Sequence, residues 1–345
     1  MTRAWLLVGA LLAVIWIPHV VFAAWVYEDA GWLPLFTDPL SPLLVPRGGI
    51  RAFWWLQGQV TTEPWLVHGV NVGLHLTVIG LTLALARRLG LPRAVLPIVL
   101  VIVALHPLGI EAVAYAAQQG ELVAAVAVLG ACLLATGCWW RLPVVLGMLA
   151  CLAFGVWGGK ETAVVGLGLV PLVIALRARD DRPKWAGKWL PLTVCILLVF
   201  AGVQLSGGLV ELTNTGETTH VYTSADEWSR WQSAATVRML GLLVLPLGPF
   251  TVDYDYHRWS QGAQVACGAL LVLMAITGVV AALVRRRMLT FWLLWPLLAI
   301  APRFVVETPR GILNEHQVYL WVPGFAVSVG AVVSWWQGAS CRAQA

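Results

Sequence analysis

The chain has 345 residues, 59% hydrophobic and only 11% charged, with a mean hydropathy of +0.80. That composition excludes a soluble globular domain and describes a polytopic membrane protein. The formal net charge of +5 does not point to nucleic acid, because the basic residues fall in short loops between apolar runs.

About 20 apolar residues cross a bilayer. Runs near that length predict spans at 5–25, 68–86, 94–112, 121–138, 143–158, 162–177, 189–206, 262–284, 288–303 and 318–337. The first follows Arg3 and lacks a small-x-small exit, so it reads as an uncleaved span rather than a signal peptide. The stretch 235–250 is shorter and is broken by Pro246 and Pro249; it reads as a re-entrant or interfacial helix. The expected fold is therefore an all-α bundle of about ten transmembrane helices within a single domain, 1–345, with outer loops at 27–66 and 206–261 and no soluble C-terminal domain.

Charge orients the bundle. Arg3, Arg87, Arg88, Arg93, Arg141, Arg177, Arg179, Arg182, Lys184, Lys188, Arg285, Arg286, Arg287 and Arg342 all fall on one side, and they are 14 of the 22 basic residues. Only Asp180 and Asp181 of the 17 acidic residues share that side. The positive-inside rule makes it cytoplasmic, with both termini there. The polar motifs then lie on the outer, periplasmic face of a bacterial inner (plasma) membrane. The cysteines show neither CxxC pairs nor ligand spacing and read as packing residues.

Those motifs follow in chain order. Glu28-Asp29 comes directly after the first span. A carboxylate at a membrane boundary can serve as a general base, or be a solvated loop acid. Arg47-Gly48-Gly49 offers a guanidinium fork that fits phosphate beside glycines that allow close approach, or is an ordinary loop. His68, Asn71 and His75 share one helical face. Three polar residues on one face of a span imply a cavity lining or a hydrogen-bonded helix seam. In His106-Pro107, proline suits the first turn of a new helix. That helix would carry Glu111, Gln118 and Gln119 along the outer surface before Glu121 opens the next span. Lys160-Glu161 sits at another span boundary, as a functional pair or an anchoring lysine beside an acid. The cation- and Trp-rich stretch Trp228–Arg238 leads to a Pro-Leu-Gly-Pro turn, either an interfacial helix or a clamp for lipid phosphate. Glu315-His316 and Tyr319 enter the last span.

Taken in order, these motifs resemble the GT-C glycosyltransferases typified by the transmembrane and tetratricopeptide-repeat O-mannosyltransferases and their bacterial relatives. The family's acidic pair is matched by Glu28-Asp29, and its first-loop Arg by Arg47. Its H-x-x-N-x-x-x-H is matched by His68, Asn71 and His75, and its H-P-x-x-x-E by His106, Pro107 and Glu111. Its K-E-T/S is Lys160-Glu161-Thr162. Its R…D-x-D-Y region is echoed by Arg238, Asp253, Asp255 and Tyr256, and its late E-H-R-x-Y-L by Glu315, His316, Tyr319 and Leu320. Gln119 and Gln317 stand where relatives carry Arg, and the tetratricopeptide tail has no counterpart.

The resemblance implies a membrane glycosyltransferase. It would move a mannose-like hexose from a polyprenyl-phosphate donor to a hydroxyl of a protein or glycan acceptor, with inversion. Asp29 is the expected base, with Glu28 second. Arg47, Lys160, Arg238 and His316 are the expected partners of the donor phosphate. His68, Asn71, His75, His106, Glu111, Glu161, Glu315 and Tyr319 would shape the sugar pocket. No metal or other cofactor is required by the motifs, although a divalent cation between the outer carboxylates is compatible with them. A transporter or flippase of lipid-linked sugar would use intramembrane His, Glu and Lys as well. A catalytically inactive member acting as a partner subunit would fit the two missing arginines.

Overall fold

The computed structural model describes residues 2–24, 48–138, 141–176, 225–246, 259–284, 287–305 and 315–343. Every regular element among them is helical. We number the α-helices α1 Thr2–Val21, α2 Gly48–Val60, α3 Pro64–Arg88, α4 Leu96–Leu105, α5 Ile110–Ala114, α6 Gln119–Ala135, α7 Leu142–Gly158, α8 Gly166–Leu176, α9 Ala225–Val244, α10 Gln261–Leu283, α11 Arg287–Val305 and α12 Trp321–Ala343. Short 3-10 turns precede α4, α5, α6, α8 and α12.

Local chemistry sets the helix ends. Pro64 opens α3, where its missing N–H costs nothing. Gly90, with φ 96°, reverses the chain after the arginines of the last turn, and Leu91 N–H closes onto the Ala86 carbonyl. Ser260 caps α10 by accepting from the Ala263 N–H at 3.3 Å. His106 precedes a proline, which disfavours helical backbone there, so it turns extended. The helical stretches Arg93–Leu105 and Pro107–Ala114 consequently meet at 53°.

Among the described residues, three helices are long and apolar enough to cross a membrane: Pro64–Arg88, Ala116–Ala135 and Gln261–Leu283, or four spans if the bent pair is one. Leu142–Gly158, Thr162–Leu176 and Met288–Phe304 are apolar but shorter. The span expected at 189–206 lies outside the described residues.

Burial ranks these helices by position. The span window of Ala116–Ala135 is 67% buried, against 22% for that of Gln261–Leu283. α6 is thus the hub, packed on α3, α7 and α8. α10 turns Leu270, Leu273, Ile276 and Val280 outward, the signature of a lipid-facing surface. On the hub's other side α7 closes to backbone distance. A Cβ on Gly159 would sit 2.9 Å from the Gly120 carbonyl oxygen and 2.8 Å from the Ala124 nitrogen, so only glycine fits.

The stretch expected to lie in the interface from 235 belongs to a longer helix. α9 starts at Ala225 and packs on α10 and α11. Trp228 and Met239 are fully buried there, and Trp228 Nε1 donates to the Arg303 carbonyl at 3.2 Å. Trp295 and Trp321 are also fully buried, and Trp295 Nε1 donates to the Leu320 carbonyl at 2.8 Å.

Candidate functional site

α3 projects His68, Asn71 and His75 into the bundle, at 1%, 0% and 1% exposure. Each reaches a different neighbour. His68 Nδ1 meets His19 Nε2 of α1 at 3.1 Å. Asn71 Nδ2 donates to the carbonyls of Val113 at 3.2 Å and Tyr115 at 3.0 Å. His75 Nδ1 meets the Tyr319 hydroxyl at 2.5 Å, and its Nε2 faces the Ala104 carbonyl at 3.5 Å. A carbonyl can only accept, so Nε2 carries the proton and the Tyr319 O–H donates to Nδ1. Of the two arrangements open from spacing, the resting geometry is a helix seam.

Gln119 extends the seam. It opens α6, is fully buried, and donates from Nε2 to Asn71 Oδ1 at 2.9 Å. Gln57 of α2 donates to Gln119 Oε1 at 2.8 Å and to the Phe53 carbonyl at 3.2 Å. Three amides thus link α2, α6 and α3, with donors and acceptors matched as burial demands.

His106 sits at the bend. Its Nδ1 accepts from the Leu108 N–H at 3.3 Å, so its Nε2 is the protonated nitrogen and donates to the Leu243 carbonyl near the end of α9 at 3.0 Å. Phe325 of α12 packs edge-on against its ring, with centroids 5.9 Å apart. Tyr319 lies close over Gly109, and the 3-10 turn Glu315–Val318 packs on α5, which carries buried Glu111.

A second polar cluster lies on the opposite side of α6. Two residues after Gln119, Glu121 points about 200° away around the helix. Its Oε1 is 2.9 Å from Lys160 Nζ, and its Oε2 accepts from Thr162 Oγ1 at 2.8 Å. Glu121 is 5% exposed and Lys160 16%. Gln119 was expected along the outer surface and Glu121 at the opening of the next span. Both are buried, because each finds polar partners on an adjacent helix.

The remaining expected residues are distributed as follows. Arg238 is half-buried on α9. Glu161, Glu315 and His316 lie on 3-10 turns of which only the backbone is described at these positions. Glu28, Asp29 and Arg47, together with Asp253, Asp255 and Tyr256, lie outside the described residues. His19, Gln57 and the inward roles of Gln119 and Glu121 escaped the sequence reading. The available signal was polarity inside or at the edge of apolar runs; His19, directly after Pro18 in α1, carries that signal alone. Among the described residues, no group of three or more His, Cys, Asp or Glu side chains could hold a metal ion; His19 and His68 make only a pair. No family model, curated protein or solved structure matches the chain.

Proposed function

We propose that this chain is a membrane glycosyltransferase that moves a hexose from a polyprenyl-phosphate donor to an acceptor hydroxyl on the outer face of the membrane. The observation that supports it best is convergence. Motifs far apart in sequence meet in one buried polar seam: His75 with Tyr319, 244 residues on, and His106 beside the helix that carries Arg238. Polar groups held inside an apolar bundle are costly and mark function more often than packing. The proposed bundle has about ten spans and cytoplasmic termini, and it includes the short apolar helices as crossings.

In this reading Asp29, or Glu28 beside it, takes the proton of the acceptor hydroxyl. That oxygen attacks the anomeric carbon as the bond from carbon to phosphate oxygen breaks, and the bonding pair leaves with the phosphate. One displacement inverts the centre. Arg47, Lys160, Arg238 and His316 stabilise the charge gathering on the leaving phosphate, as fixed cations do best in a dehydrated site. His68, Asn71, His75, His106, Glu111, Glu161, Glu315 and Tyr319 would shape the sugar pocket or brace its wall.

Membranes containing the protein, incubated with radiolabelled polyprenyl-phosphate hexoses, should transfer label from the lipid to a polar acceptor. One specific observation favours a second reading. Gln119, at a position where relatives of the resembled family carry Arg, is fully engaged by Gln57 and Asn71 and offers nothing to a phosphate. Label that stays on the lipid in every preparation would favour an inactive partner subunit. Label that changes leaflet without leaving the lipid would favour a flippase.

A further inference from the structure

We propose that Lys160 is an anion-binding residue for the phosphate of a polyprenyl phosphate, and that Glu121 is its positioning residue, with Thr162 holding the Glu121 carboxylate in place. The identity of the anion rests on the glycosyltransferase reading; the geometry of the pair does not. The family resemblance implies that Lys160 binds phosphate. Glu121 and the hydroxyl behind it enter from the structure.

The two ends of the pair are unequally satisfied. Both Glu121 carboxylate oxygens have a partner, Oε1 in the Lys160 ammonium at 2.9 Å and Oε2 in the Thr162 hydroxyl at 2.8 Å. An ammonium has three donors. Among the described residues, the Lys160 ammonium has a single protein partner, while its side chain keeps 16% of its surface open and Glu121 keeps 5%. The carboxylate end of the pair is the more enclosed, and the lysine side chain is the more exposed. An arrangement serving stability alone gains little from this asymmetry, because desolvating both charges offsets most of their attraction.

The backbone around Lys160 is held on both sides. Lys160 N–H donates to the Gly155 carbonyl at 3.0 Å, and the Lys160 carbonyl accepts from the Ala163 N–H at 2.9 Å. Gly159 meets the Gly120 carbonyl so closely that no side chain fits between α6 and α7 there. The lysine stem therefore starts from a fixed point, one residue from the closest approach of the hub helix. Glu121, next to Gly120, then aims the ammonium by holding it at 2.9 Å from Oε1. A phosphate at that ammonium gains charge-assisted hydrogen bonds, the strong kind.

The test titrates purified full-length protein in detergent with farnesyl phosphate, with farnesol as the control for prenyl-chain binding and inorganic phosphate as a competitor. The parent should prefer farnesyl phosphate over farnesol. Lys160→Met should reduce that preference about tenfold or more, the range expected for one hydrogen bond to a charged group. Glu121→Ala should reduce it by a similar factor. Glu121→Gln should recover most of it, since the amide oxygen still accepts from the ammonium. The double variant Lys160→Met/Glu121→Gln removes both charges, leaves no buried charge unpaired, and should lose no more than Lys160→Met alone; it carries the test if Lys160→Met fails to fold. A parent with no preference, or a preference intact in the double variant, overturns the anion site. Full preference in Glu121→Ala, or equal losses in Glu121→Ala and Glu121→Gln, overturns the positioning role. Inorganic phosphate competing as well as farnesyl phosphate overturns the lipid-linked assignment. Preference as expected without hexose transfer in the membrane assay would sink the glycosyltransferase reading and leave the anion site standing.

Discussion

Asn71→Asp changes one atom type and nothing in shape, at a residue with no exposed surface. Asn71 donates two hydrogen bonds, to the Val113 and Tyr115 carbonyls, and accepts one from Gln119. A carboxylate has no donor to offer those two carbonyls and would press negative charge against both. A protonated carboxyl keeps one donor, so one carbonyl stays unpaired, at a cost of about 1–3 kcal/mol. Holding the carboxyl neutral at pH 7, against a reference value of about 3.9, costs about 4 kcal/mol more. The variant should therefore be about 5–7 kcal/mol less stable than the parent at pH 7. The protonation part is absent below the reference value and grows by about 1.4 kcal/mol for each pH unit above it. Acidification from pH 7 to pH 5 should thus return about 2.7 kcal/mol to the variant relative to the parent. Thermal unfolding of both proteins in detergent across that range, followed by fluorescence, measures the gap. A variant as stable as the parent at pH 7, or a gap that does not narrow on acidification, refutes the assignment of Asn71 as a buried double donor.

Tyr319→Phe removes the donor to His75 Nδ1 and leaves a buried acceptor unpaired, so it should cost about 1–3 kcal/mol in the same unfolding assay. Gly159→Ala places a methyl within 2.9 Å of fixed backbone atoms of α6 and of Gly155. The overpacking should cost about 1–3 kcal/mol or more, whereas Gly241→Ala, with no atom within 4 Å of the added carbon, should be at least as stable as the parent; equal behaviour of the two would count against the α6–α7 contact. On the glycosyltransferase reading, Asp29→Asn should slow hexose transfer by about 10² or more with little loss of folded protein, and a Glu28→Gln variant that alone is inactive would move the base to Glu28. Cysteines placed at exposed Val60, Thr62 or Glu63 should react with an impermeant maleimide from outside sealed cells; labelling of 178–188 instead would reverse the orientation and the side of the site.

The helical class and the long apolar helices were legible in the sequence because a long apolar run can satisfy its own backbone in only one way inside a bilayer, whereas Gly48–Val60 falls in the expected outer loop 27–66 and Ala225–Val244 starts within the expected outer loop 206–261. The predicted runs at 68–86, 121–138 and 262–284 lie within or closely match Pro64–Arg88, Ala116–Ala135 and Gln261–Leu283. The break at His106-Pro107 was legible for a local reason, the clash that proline imposes on the residue before it. The shared face of His68, Asn71 and His75 likewise follows from helical periodicity alone. What that face meets does not. Hydrogen-bond partners in a bundle come from other helices, and nothing in the spacing of His75 names Tyr319, or in that of Asn71 names Val113 and Gln119. Gln119 and Glu121 show the limit most clearly. Gln119 reads as a residue of the outer surface and Glu121 as the opening of the next span, and the same two letters would serve there. Tertiary packing turned one towards α3 and the other towards Lys160, because two positions on a helix point to opposite sides and each side of α6 is covered by a neighbour bearing complementary polar groups.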